Sequence, residues 1–234
     1  MPSLSCFFPC YNDAFTIGQL IVDADEIAQS LTDDYEIIVI DDGSVDHSRE
    51  VLCKLQPTYP ALKLVFHEKN RGYGGALQSG FQTATKEWIF YTDGDGQYDV
   101  KELCLLWQAM HADVDVVNGY KMARSDAWYR TVIGLCYRGV MRLLFGFRVK
   151  DVTCDFRLIR RVMMEKISLR HTSGVICVEL VTKLERAGAR FANVPVHHYE
   201  RQHGRSQFFR WRHLIRTWAN ILRLWGDLHI RRNR

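Results

Sequence analysis

The sequence predicts an α/β fold, a mostly parallel sheet flanked by helices, with an amphipathic helix near the C-terminal end. Strand-like and helix-like segments alternate over the first 120 residues at the spacing of βαβ units. The strand-like segments are short and continuously apolar, as in Ile37–Ile40, which is typical of parallel strands covered on both faces. With 234 residues, 47% of them hydrophobic and 25% charged, the chain can bury a substantial core.

Each predicted element rests on its apolar periodicity and on the turn residues at its ends. The strands of the first half are predicted at Leu4–Pro9, Glu36–Asp41, Leu62–His67, Trp88–Thr92 and Val114–Asn118. The helices between them are predicted at Asp13–Leu31, Ser44–Leu55, Gly74–Thr85 and Asp99–Met110. The later part of the chain predicts helices at Ala127–Phe145, Val178–Ala187 and Phe208–Trp225, and strands at Asp151–Leu158 and Phe191–Tyr199.

The cysteines and the N-terminus indicate a cytoplasmic protein. The seven cysteines are scattered and form no Cys-x-x-Cys pair, which fits buried, reduced thiols. Asp13 interrupts the N-terminus before an apolar core of signal-peptide length is reached. No stretch approaches the ~18–20 apolar residues of a transmembrane helix. We therefore expect neither a cleaved leader nor a membrane span.

The C-terminal segment is strongly basic. Residues 201–234 contain nine arginines and a single acid, Asp227, whereas the rest of the chain is mildly acidic. Such a tail indicates contact with a polyanion, either nucleic acid or an anionic membrane surface. No nucleic-acid-binding module accompanies the basic residues, so we expect no nucleic acid partner.

The predicted terminal helix carries its large apolar residues on one face, flanked by arginines. That face consists of Phe208, Trp211, Leu214, Ile215, Trp218, Ile221, Leu222 and Trp225. Such a helix fits a lipid headgroup boundary, so we expect residues 207–234 to lie on the cytoplasmic face of a membrane. Periodicity alone supports a core-facing or oligomer-forming helix equally well, which leaves a homo-oligomer open.

Two Asp-rich segments follow directly after predicted strands. They are Asp41–Ser44, after the second strand, and Asp93–Gln97, after the fourth. Because the carboxyl ends of strands form the ligand crevice of an open α/β sheet, the four carboxylates are expected to converge there. Such crowding is unfavourable unless a cation or sugar hydroxyls occupy the gap. The pattern predicts a site for a metal-bound sugar nucleotide.

Asp93 and Asp95 are the predicted metal ligands, and Gln97 either adds an amide oxygen or fixes the loop. Two carboxylates around a glycine can turn toward one Mg²⁺ or Mn²⁺, which accepts one or two carboxylates together with diphosphate oxygens. The cation would stabilise a departing diphosphate. An EF-hand does not fit, because Tyr98 stands where that loop needs glycine. A plain surface turn is the simplest alternative.

Three further segments border the predicted crevice. One carboxylate of Asp41–Ser44 could hold ribose hydroxyls, although Ser44 or Asp46 could simply cap the next helix. Pro9–Asp13, at the end of the first strand, adds a carboxylate and an aromatic ring. The glycines of Asn70–Ala76 either bring the backbone close to a nucleotide or permit tight packing of a helix on the sheet.

Taken in order, these motifs resemble the inverting family-2 glycosyltransferases, whose GT-A fold is Rossmann-like. The segments that carry the resemblance are Pro9–Asp13, Asp41–Ser44, Asn70–Gly74 and Asp93–Gln97. Two later segments, Asp151–Arg157 and Arg201–Ser206, narrow it to the dolichyl- and polyprenyl-phosphate sugar synthases, of the dolichol-phosphate-mannose and bactoprenol-phosphate-glucose kind.

The resemblance implies a division of labour along the chain. Residues 1–206 would form the catalytic domain, with a nucleotide-sugar half (1–119) and an acceptor half (120–206). The residues implied to bind the nucleotide sugar are Pro9, Tyr11, Asn12, Asp13, Asp41, Asp42, Asn70, Gly72 and Asp93. Asp93, Asp95 and Gln97 would surround the metal and the diphosphate. The residues implied to bind the acceptor phosphate or close over it are Lys121, Arg124, Arg130, Arg201 and Ser206.

Three positions depart from the family pattern. Lys121 stands where arginine is frequent and offers a point charge rather than a bidentate fork, for which Arg124 could compensate. Gln207 replaces a frequent lysine. Asp155 replaces a frequent glycine, and an additional carboxylate near the acceptor could serve as a general base for a hydroxyl.

The predicted reaction is a metal-dependent, inverting transfer of a hexose from a nucleotide diphosphate sugar to a polyprenyl or dolichyl phosphate. Family frequency alone favours GDP-mannose over UDP-glucose as the donor. The acceptor phosphate, with a second pKa of about 6, is already an anion at neutral pH. It therefore needs positioning rather than a base. Two alternatives are a GT-A enzyme that acts on a hydroxyl with Asp155 as base, and a non-catalytic sugar-nucleotide-binding protein.

Overall fold

The computed structural model of the chain describes residues 1–122, 139–141, 144–147, 149–200 and 219–227. Within these residues seven strands form one sheet. They are β1 (Leu4–Cys10), β2 (Tyr35–Asp41), β3 (Leu62–Phe66), β4 (Trp88–Thr92), β5 (Val116–Lys121), β6 (Phe156–Arg160) and β7 (Phe191–Val196). Their order across the sheet is β3-β2-β1-β4-β6-β5-β7, so a single sheet runs through both predicted halves of the chain.

Only one strand of this sheet runs against the others. β6 is antiparallel to both β4 and β5, whereas the remaining neighbours pair in parallel. The mostly parallel α/β sheet is thereby confirmed. The predicted strand over Asp151–Leu158 is wrong at its beginning, because Oδ1 of Asp151 accepts hydrogen bonds from the backbone (3.0 Å) and hydroxyl (2.8 Å) of Thr153. These bonds form a turn, and β6 begins only at Phe156.

The helices lie between the strands in the predicted order. They are α1 (Ile17–Leu31), α2 (Ser48–Leu55), α3 (Tyr73–Thr83), α4 (Leu103–Gln108, after a 3₁₀ turn at Val100–Glu102), α5 (Arg161–Glu165) and α6 (Ile176–Arg186). The short helix α5 was not predicted. The predicted helices at Ala127–Phe145 and Phe208–Trp225 fall largely outside the described residues, although 139–141, 144–145 and 219–227 are helical.

Helices α1 and α2 each begin four residues later than predicted, because the loops before them bond to each other. The backbone of Asn12 donates to Oγ of Ser44 (3.0 Å), and the backbone of Val45 donates to Oδ1 of Asn12 (2.9 Å). The backbone of Ala14 donates to Asp46 (3.2 Å). These polar groups tie the ends of β1 and β2 together instead of continuing the helices.

The core lies on both faces of the sheet, as continuously apolar strands require. On one face Phe8 of β1 packs in a cluster with Ile21 of α1 and Leu106 of α4. On the other, Phe7 packs with Leu77 of α3 and, farther along the cluster, α6. Adjacent residues of β1 thus face opposite layers, which is the two-residue period of a strand.

The helical segment 219–227 packs against the domain. Ile221 and Leu224 are buried in a third apolar cluster with Val178 and Val181 of α6, and the side chain of Asn220 donates to Oγ of Ser173 (3.3 Å). Three other buried members of that cluster are Met141, Phe147 and Val175. Ile221 belongs to the predicted apolar face of the terminal helix, and it faces the core, as the alternative to a membrane-facing helix predicted. None of the helices in the described residues is both long and apolar enough to cross a membrane.

The side of 219–227 that faces away from the domain carries exposed apolar and basic side chains. Leu222 is 58% exposed and Trp225 37% exposed, and Arg223 between them is exposed as well. The indole of Trp225 donates to the backbone oxygen of Leu144 (3.1 Å). The segment thus buries one stripe against α6 and presents apolar and basic side chains on another.

Gly80 of α3 is required by the packing of that helix on β1. A Cβ atom at Gly80 would overlap the ring of Phe7, far inside van der Waals contact. We predict that Gly80→Ala lowers the free energy of unfolding by about 1–3 kcal/mol, since overpacking outweighs the gain in helix propensity. Thermal unfolding should show a fall of several degrees. Gly139→Ala is the control, because a Cβ there meets no atom within 4 Å; equal melting temperatures for the two variants would contradict the prediction.

Candidate active site

The candidate site lies along the edge of the sheet where the parallel strands end. Because β6 is antiparallel, its first residue lies at that same edge. In spatial order, the polar residues next to the strand ends are His67 (β3), Asp41 and Asp42 (β2), Asp13 (β1), Asp93 (β4), Asp155 (β6) and Lys121 (β5). Most of the predicted site residues that belong to the described part of the chain therefore lie on one edge, as expected for an open α/β sheet.

Asp93 and Asp155 are neighbours because of the antiparallel pairing. Thr92 of β4 pairs with Phe156 of β6, so the residue after one and the residue before the other stand side by side. Together with the burial of the group, the charges of Asp155 and Asp95 raise the pKa of the Asp93 carboxyl well above its usual range. Asp93, Asp95 and Asp155 are called the acidic group below.

Two other side chains adjust the electrostatics of the acidic group. The hydroxyl of Tyr73 donates to Oδ1 of Asp93 (2.7 Å), and Lys121 contributes positive charge; both act to lower the Asp93 pKa, but less than burial raises it. Nζ of Lys121 donates to the backbone oxygen of Thr153 (2.9 Å), which holds the ammonium over this part of the edge.

Asp95 and Gln97 shape the loop that follows β4. Oδ1 of Asp95 accepts from the backbone of Gln97 (3.0 Å). The Gln97 side-chain amide donates to the backbone oxygen of Tyr199 (3.1 Å), and the backbone of Tyr199 donates to the oxygen of Gln97 (2.8 Å). Gln97 thus links the Asp93–Gln97 loop to the segment after β7, which corresponds to the loop-fixing alternative for this residue.

A fully buried guanidinium lies beneath the acidic group. Arg157 of β6 donates to Asp155 (3.2 Å), to Asn118 (2.6 Å), to the backbone oxygen of Val152 (2.5 Å) and to the hydroxyl of Tyr91. Each of the three guanidinium nitrogens therefore has at least one acceptor, which a buried cation needs to be tolerated. The ion pair leaves Asp155 tied to the sheet rather than free to turn.

Asp41 and Asp42 form a separate arrangement at the end of β2. Asp41 is fully buried, and its Oδ2 accepts from Nε of Arg49 (2.6 Å). Asp42 is bonded through Oδ1 to Nδ1 of His67 (2.6 Å) and to the backbone of Arg71 (2.8 Å). Each carboxylate thus has its own partner, cationic for Asp41.

The expectation that four carboxylates converge on one gap is therefore wrong. β1 lies between β2 and β4, and two strand spacings amount to about 10 Å. Asp41 and Asp42 are moreover engaged by Arg49 and His67 at the end of β2 rather than turned toward Asp93. The carboxylate that joins Asp93 comes instead from Asp155, which the antiparallel direction of β6 brings to this edge. That direction was not predicted from the sequence.

The segment after β1 lies between the Asp41–Asp42 pair and the acidic group. Asn12 adopts a left-handed backbone conformation (φ 59°), and Tyr11 is exposed and donates its backbone N–H to Oδ2 of Asp13 (3.1 Å). The backbone of Asp13 donates to Oγ of Ser48 (3.1 Å). The oxygen of Pro9 lies where a Cβ on Gly94 would approach to 2.5 Å, so only glycine lets the β4 loop pass β1 this closely.

The glycines of Asn70–Gly74 accommodate a neighbouring loop. Gly72 has a φ of +81°, and a Cβ there would lie 2.6 Å from the oxygen of Thr172. The backbone of Gly74 donates to that same oxygen (2.8 Å), and Oδ1 of Asn70 accepts from the backbone of Gly72 (2.9 Å). Tight packing thus accounts for these glycines, while Asn70 remains exposed at the rim.

Two members of the acidic group, Asp93 and Asp95, could hold a hard divalent cation if other oxygens complete its shell. Among the described residues, no three His, Cys, Asp or Glu side chains come together in a metal-holding geometry. Magnesium takes one or two carboxylates and completes its shell with water and phosphate oxygens, and manganese prefers the same ligands. Asp93 and Asp95 supply such oxygens, and a cation would offset the like charges that surround Asp93.

Four predicted acceptor residues cannot be placed. Arg124, Arg130, Arg201 and Ser206 lie outside the described residues, and their roles remain predictions. Of the acceptor set, Lys121 alone belongs to the described part of the chain.

Sequence reasoning overlooked three side chains that hold the site together. Arg157 was quoted within a motif but given no role, although a charge in an otherwise apolar strand such as Phe156–Ile159 indicates a buried ion pair. Tyr73 and His67 also touch predicted site carboxylates. His67 could have been found from its place directly after a strand at the ligand edge; Tyr73 carried no signal among the glycines around it.

Comparisons with known proteins identify the family. The sequence profile "Glycosyl transferase family 2" matches residues 5–168, most of the chain. The chain belongs to this family and is a glycosyltransferase, as its motifs predicted. It is 28% identical over 207 residues to the undecaprenyl-phosphate 4-deoxy-4-formamido-L-arabinose transferase of Edwardsiella ictaluri (strain 93-146). That match covers 88% of this chain but only 62% of the relative, so the chain spans less than two thirds of its length.

Solved structures with the same fold are more distant in sequence. Glucosyl-3-phosphoglycerate synthase from Mycobacterium tuberculosis, in complex with Mn²⁺, UDP and phosphoglyceric acid, aligns with a TM-score of 0.76 at 17% identity. The alignment covers 96% of this chain and 79% of that one. A complex of the same enzyme with Mn²⁺, UDP-glucose and phosphoglyceric acid gives 0.74 at 18% identity, covering 96% and 80%. The GT-A fold and the resemblance to polyprenyl-phosphate sugar transferases are thereby confirmed.

The buried Arg157 network should dominate the stability of this edge. We predict that Arg157→Met lowers the free energy of unfolding by about 3–5 kcal/mol, because it strands Asp155 and Asn118 without their charged donor. Arg160→Met, on the same strand, removes a partly exposed ion pair with Glu87 and should cost less than half as much. Denaturant unfolding of both variants measures the difference; similar losses would mean that the buried network contributes little.

Proposed function

We propose that this glycosyltransferase transfers a hexose, with inversion, from a nucleotide diphosphate sugar to a polyprenyl phosphate. The observation that carries the proposal is the acidic group at the ligand edge, with the Lys121 ammonium beside it, in a family-2 chain. A carboxylate set suits a cation-bound diphosphate, and a neighbouring ammonium suits a second phosphate. The name of the Edwardsiella relative supports undecaprenyl phosphate as the class of acceptor.

On the donor side, Asp93 and Asp95 would hold Mg²⁺ or Mn²⁺ against the diphosphate, and Asp42, Asp13 and Tyr11 would border the nucleoside. When bound, the cation stabilises the diphosphate leaving group. The mycobacterial enzyme binds UDP with Mn²⁺ or with Mg²⁺, which supports a uridine donor. Family frequency supports GDP-mannose, so both donors belong in the first assay.

On the acceptor side, Lys121 would attract the lipid phosphate, together with Arg124, Arg130, Arg201 and Ser206. A phosphate already ionised near neutral pH attacks without loss of a proton, so the protein's task is to position it. Residues 207–234, which hold seven of the nine arginines of residues 201–234, would bring the site to an anionic cytoplasmic membrane surface. The exposed Leu222, Arg223 and Trp225 support this placement.

A second candidate is supported by the position of Asp155. Its carboxylate lies within the acidic group, where it could accept a proton from a hydroxyl acceptor. Its bond to Arg157 favours the phosphate acceptor instead, since a base must be able to turn toward its proton donor. The non-catalytic alternative has no observation in its favour.

The role of Asp95 is the first test. We predict that Asp95→Ala reduces transfer by roughly 10²-fold or more without unfolding the protein, because an electrostatic contact to the leaving group is lost. Asp33→Ala, at an exposed site between the end of α1 and the start of β2, and so at the opposite edge of the sheet, should be as active as the wild type. The measurement is glycolipid formation from labelled GDP-mannose or UDP-glucose and polyprenyl phosphate, with Mg²⁺ or Mn²⁺. Full turnover by Asp95→Ala would remove this residue from the metal site.

Variants of Asp155 and Arg130 distinguish a lipid phosphate acceptor from a hydroxyl acceptor. For a lipid phosphate acceptor, Asp155→Asn should keep the shape of the pH–rate profile, whereas Arg130→Ala should raise the KM for the lipid about tenfold by loss of a charged contact. Loss of a carboxylate-like limb of the profile in Asp155→Asn would instead support the hydroxyl acceptor. An unchanged lipid KM in Arg130→Ala would exclude that residue from the acceptor site.

A further inference from the structure

We propose that His67 is a positioning residue that fixes the carboxylate of Asp42 for the donor nucleoside. The inference rests on the proposed function, because it assumes that Asp42 borders a bound nucleotide. It adds a residue to which neither the motifs nor the resemblance gives a role. His67 follows β3 directly, and two strands, β2 and β1, lie between β3 and the β4 end of the acidic group, so His67 would act on donor binding separately from any cation.

The imidazole ring of His67 is buried and hydrogen-bonded through both of its nitrogens. Nδ1 of His67 lies 2.6 Å from Oδ1 of Asp42, and Nε2 lies 2.9 Å from Oγ of Ser79 on α3. His67 and Asp42 are each only 3% exposed. An ionised carboxylate can only accept hydrogen bonds, so Nδ1 of His67 carries a hydrogen atom and donates a hydrogen bond to Asp42.

The two oxygens of Asp42 are used unequally. Oδ1 accepts from His67 and from the backbone of Arg71 (2.8 Å), whereas Oδ2 accepts from no residue in the described part of the chain. The neighbouring Asp41 is different, since it is fully buried and bonded to Arg49. Oδ1 of Asp41 also has no hydrogen-bond partner among the described residues, but Asp41 is completely enclosed, whereas Asp42 keeps a small exposure of 3%. Of the two aspartates after β2, Asp42 is thus the one whose second oxygen a ligand could reach.

His67 is itself held at three points, its ring by Ser79 and its backbone by Arg49 and Asp41. Ser79 fixes its outer nitrogen from α3, and Nη2 of Arg49 donates to the backbone oxygen of His67 (2.5 Å). The backbone of His67 donates to the oxygen of Asp41 (2.9 Å). Because Arg49 also bonds the Asp41 carboxylate, the ends of β2 and β3 are joined around the ring. A carboxylate held by such a ring is preorganised, which lowers the entropy lost when a ligand binds.

Two isosteric variants separate positioning from simple burial. In His67→Asn the amide nitrogen can replace Nδ1 and keep the bond to Asp42, whereas in His67→Gln the amide reaches toward Ser79 and leaves Asp42 without its donor. His111→Asn is the control, because His111 is exposed and lies before β5, at the opposite edge of the sheet. The direct measurement is calorimetric titration with GDP and with UDP, each with Mg²⁺, alongside thermal unfolding of every variant.

We expect His67→Gln to weaken nucleotide binding about tenfold or more, as expected for loss of a hydrogen bond to a charged group. His67→Asn should remain within about threefold of the wild type, and His111→Asn should be indistinguishable from it. In the transfer assay the effect of His67→Gln should fall on the donor KM, with kcat nearly unchanged, because the reacting atoms are untouched. A merely structural role would change the melting temperature without this division between KM and kcat.

Several outcomes would overturn the inference. Equal nucleotide affinity for a folded His67→Gln and the wild type would mean that the ring does not position Asp42. If both His67 variants fail to fold, Ser79→Ala removes one oxygen from the far side of the ring and should still weaken binding about threefold; unchanged binding there would contradict the inference. A wild-type protein that binds neither nucleotide would instead refute the proposed function, which is a distinct result.

Discussion

The site depends on a single reversed strand. β6 enters the sheet against the direction of β4 and β5, and this brings the residue before it to the same edge as the residues that follow the parallel strands. Asp155 thereby meets Asp93, and Arg157, two residues farther along, carries the compensating charge beneath them. Without a buried guanidinium that is bonded on every side, a strand bringing another carboxylate to an already acidic edge would be strongly unfavourable.

The edge is organised as two electrostatically distinct parts, separated by β1. At one end, Asp41 is paired with the guanidinium of Arg49, and Asp42 is hydrogen-bonded to His67. At the other, Asp93 is crowded by carboxylates that the nearby Lys121 balances only in part. In the proposed function, a cation with the diphosphate would lie at Asp93, and the nucleoside would lie at the end of β2.

Most of the fold could be predicted from the sequence, because the apolar runs of β1, β2 and β4 are unmistakable and the turns between them are polar. The motifs at the strand ends also led to the correct edge and family. The direction of β6 could not be predicted, since apolar content says nothing of strand direction, and Asp151–Asp155 resembles a strand until the turn at Thr153 is seen. The prediction that Asp41–Asp42 and Asp93–Asp95 converge was wrong for a similar reason. Local sequence indicates where a strand lies along the chain but not its place in the order of the sheet. Tyr73 and His67 depend on that order, so their contacts became visible only in three dimensions.

The packing of 219–227 also constrains how the enzyme can be handled. This segment covers Val178 and Val181 on α6, and through Asn220 it touches Ser173, next to the Thr172 that meets the backbone of Gly74. Deleting the chain from 219 onward would expose the apolar side chains of Val178 and Val181 and weaken the support of the loop before α3, where Tyr73 begins the helix. A test of the proposed membrane contact would thus require substitution of outward-facing side chains such as Leu222, rather than deletion.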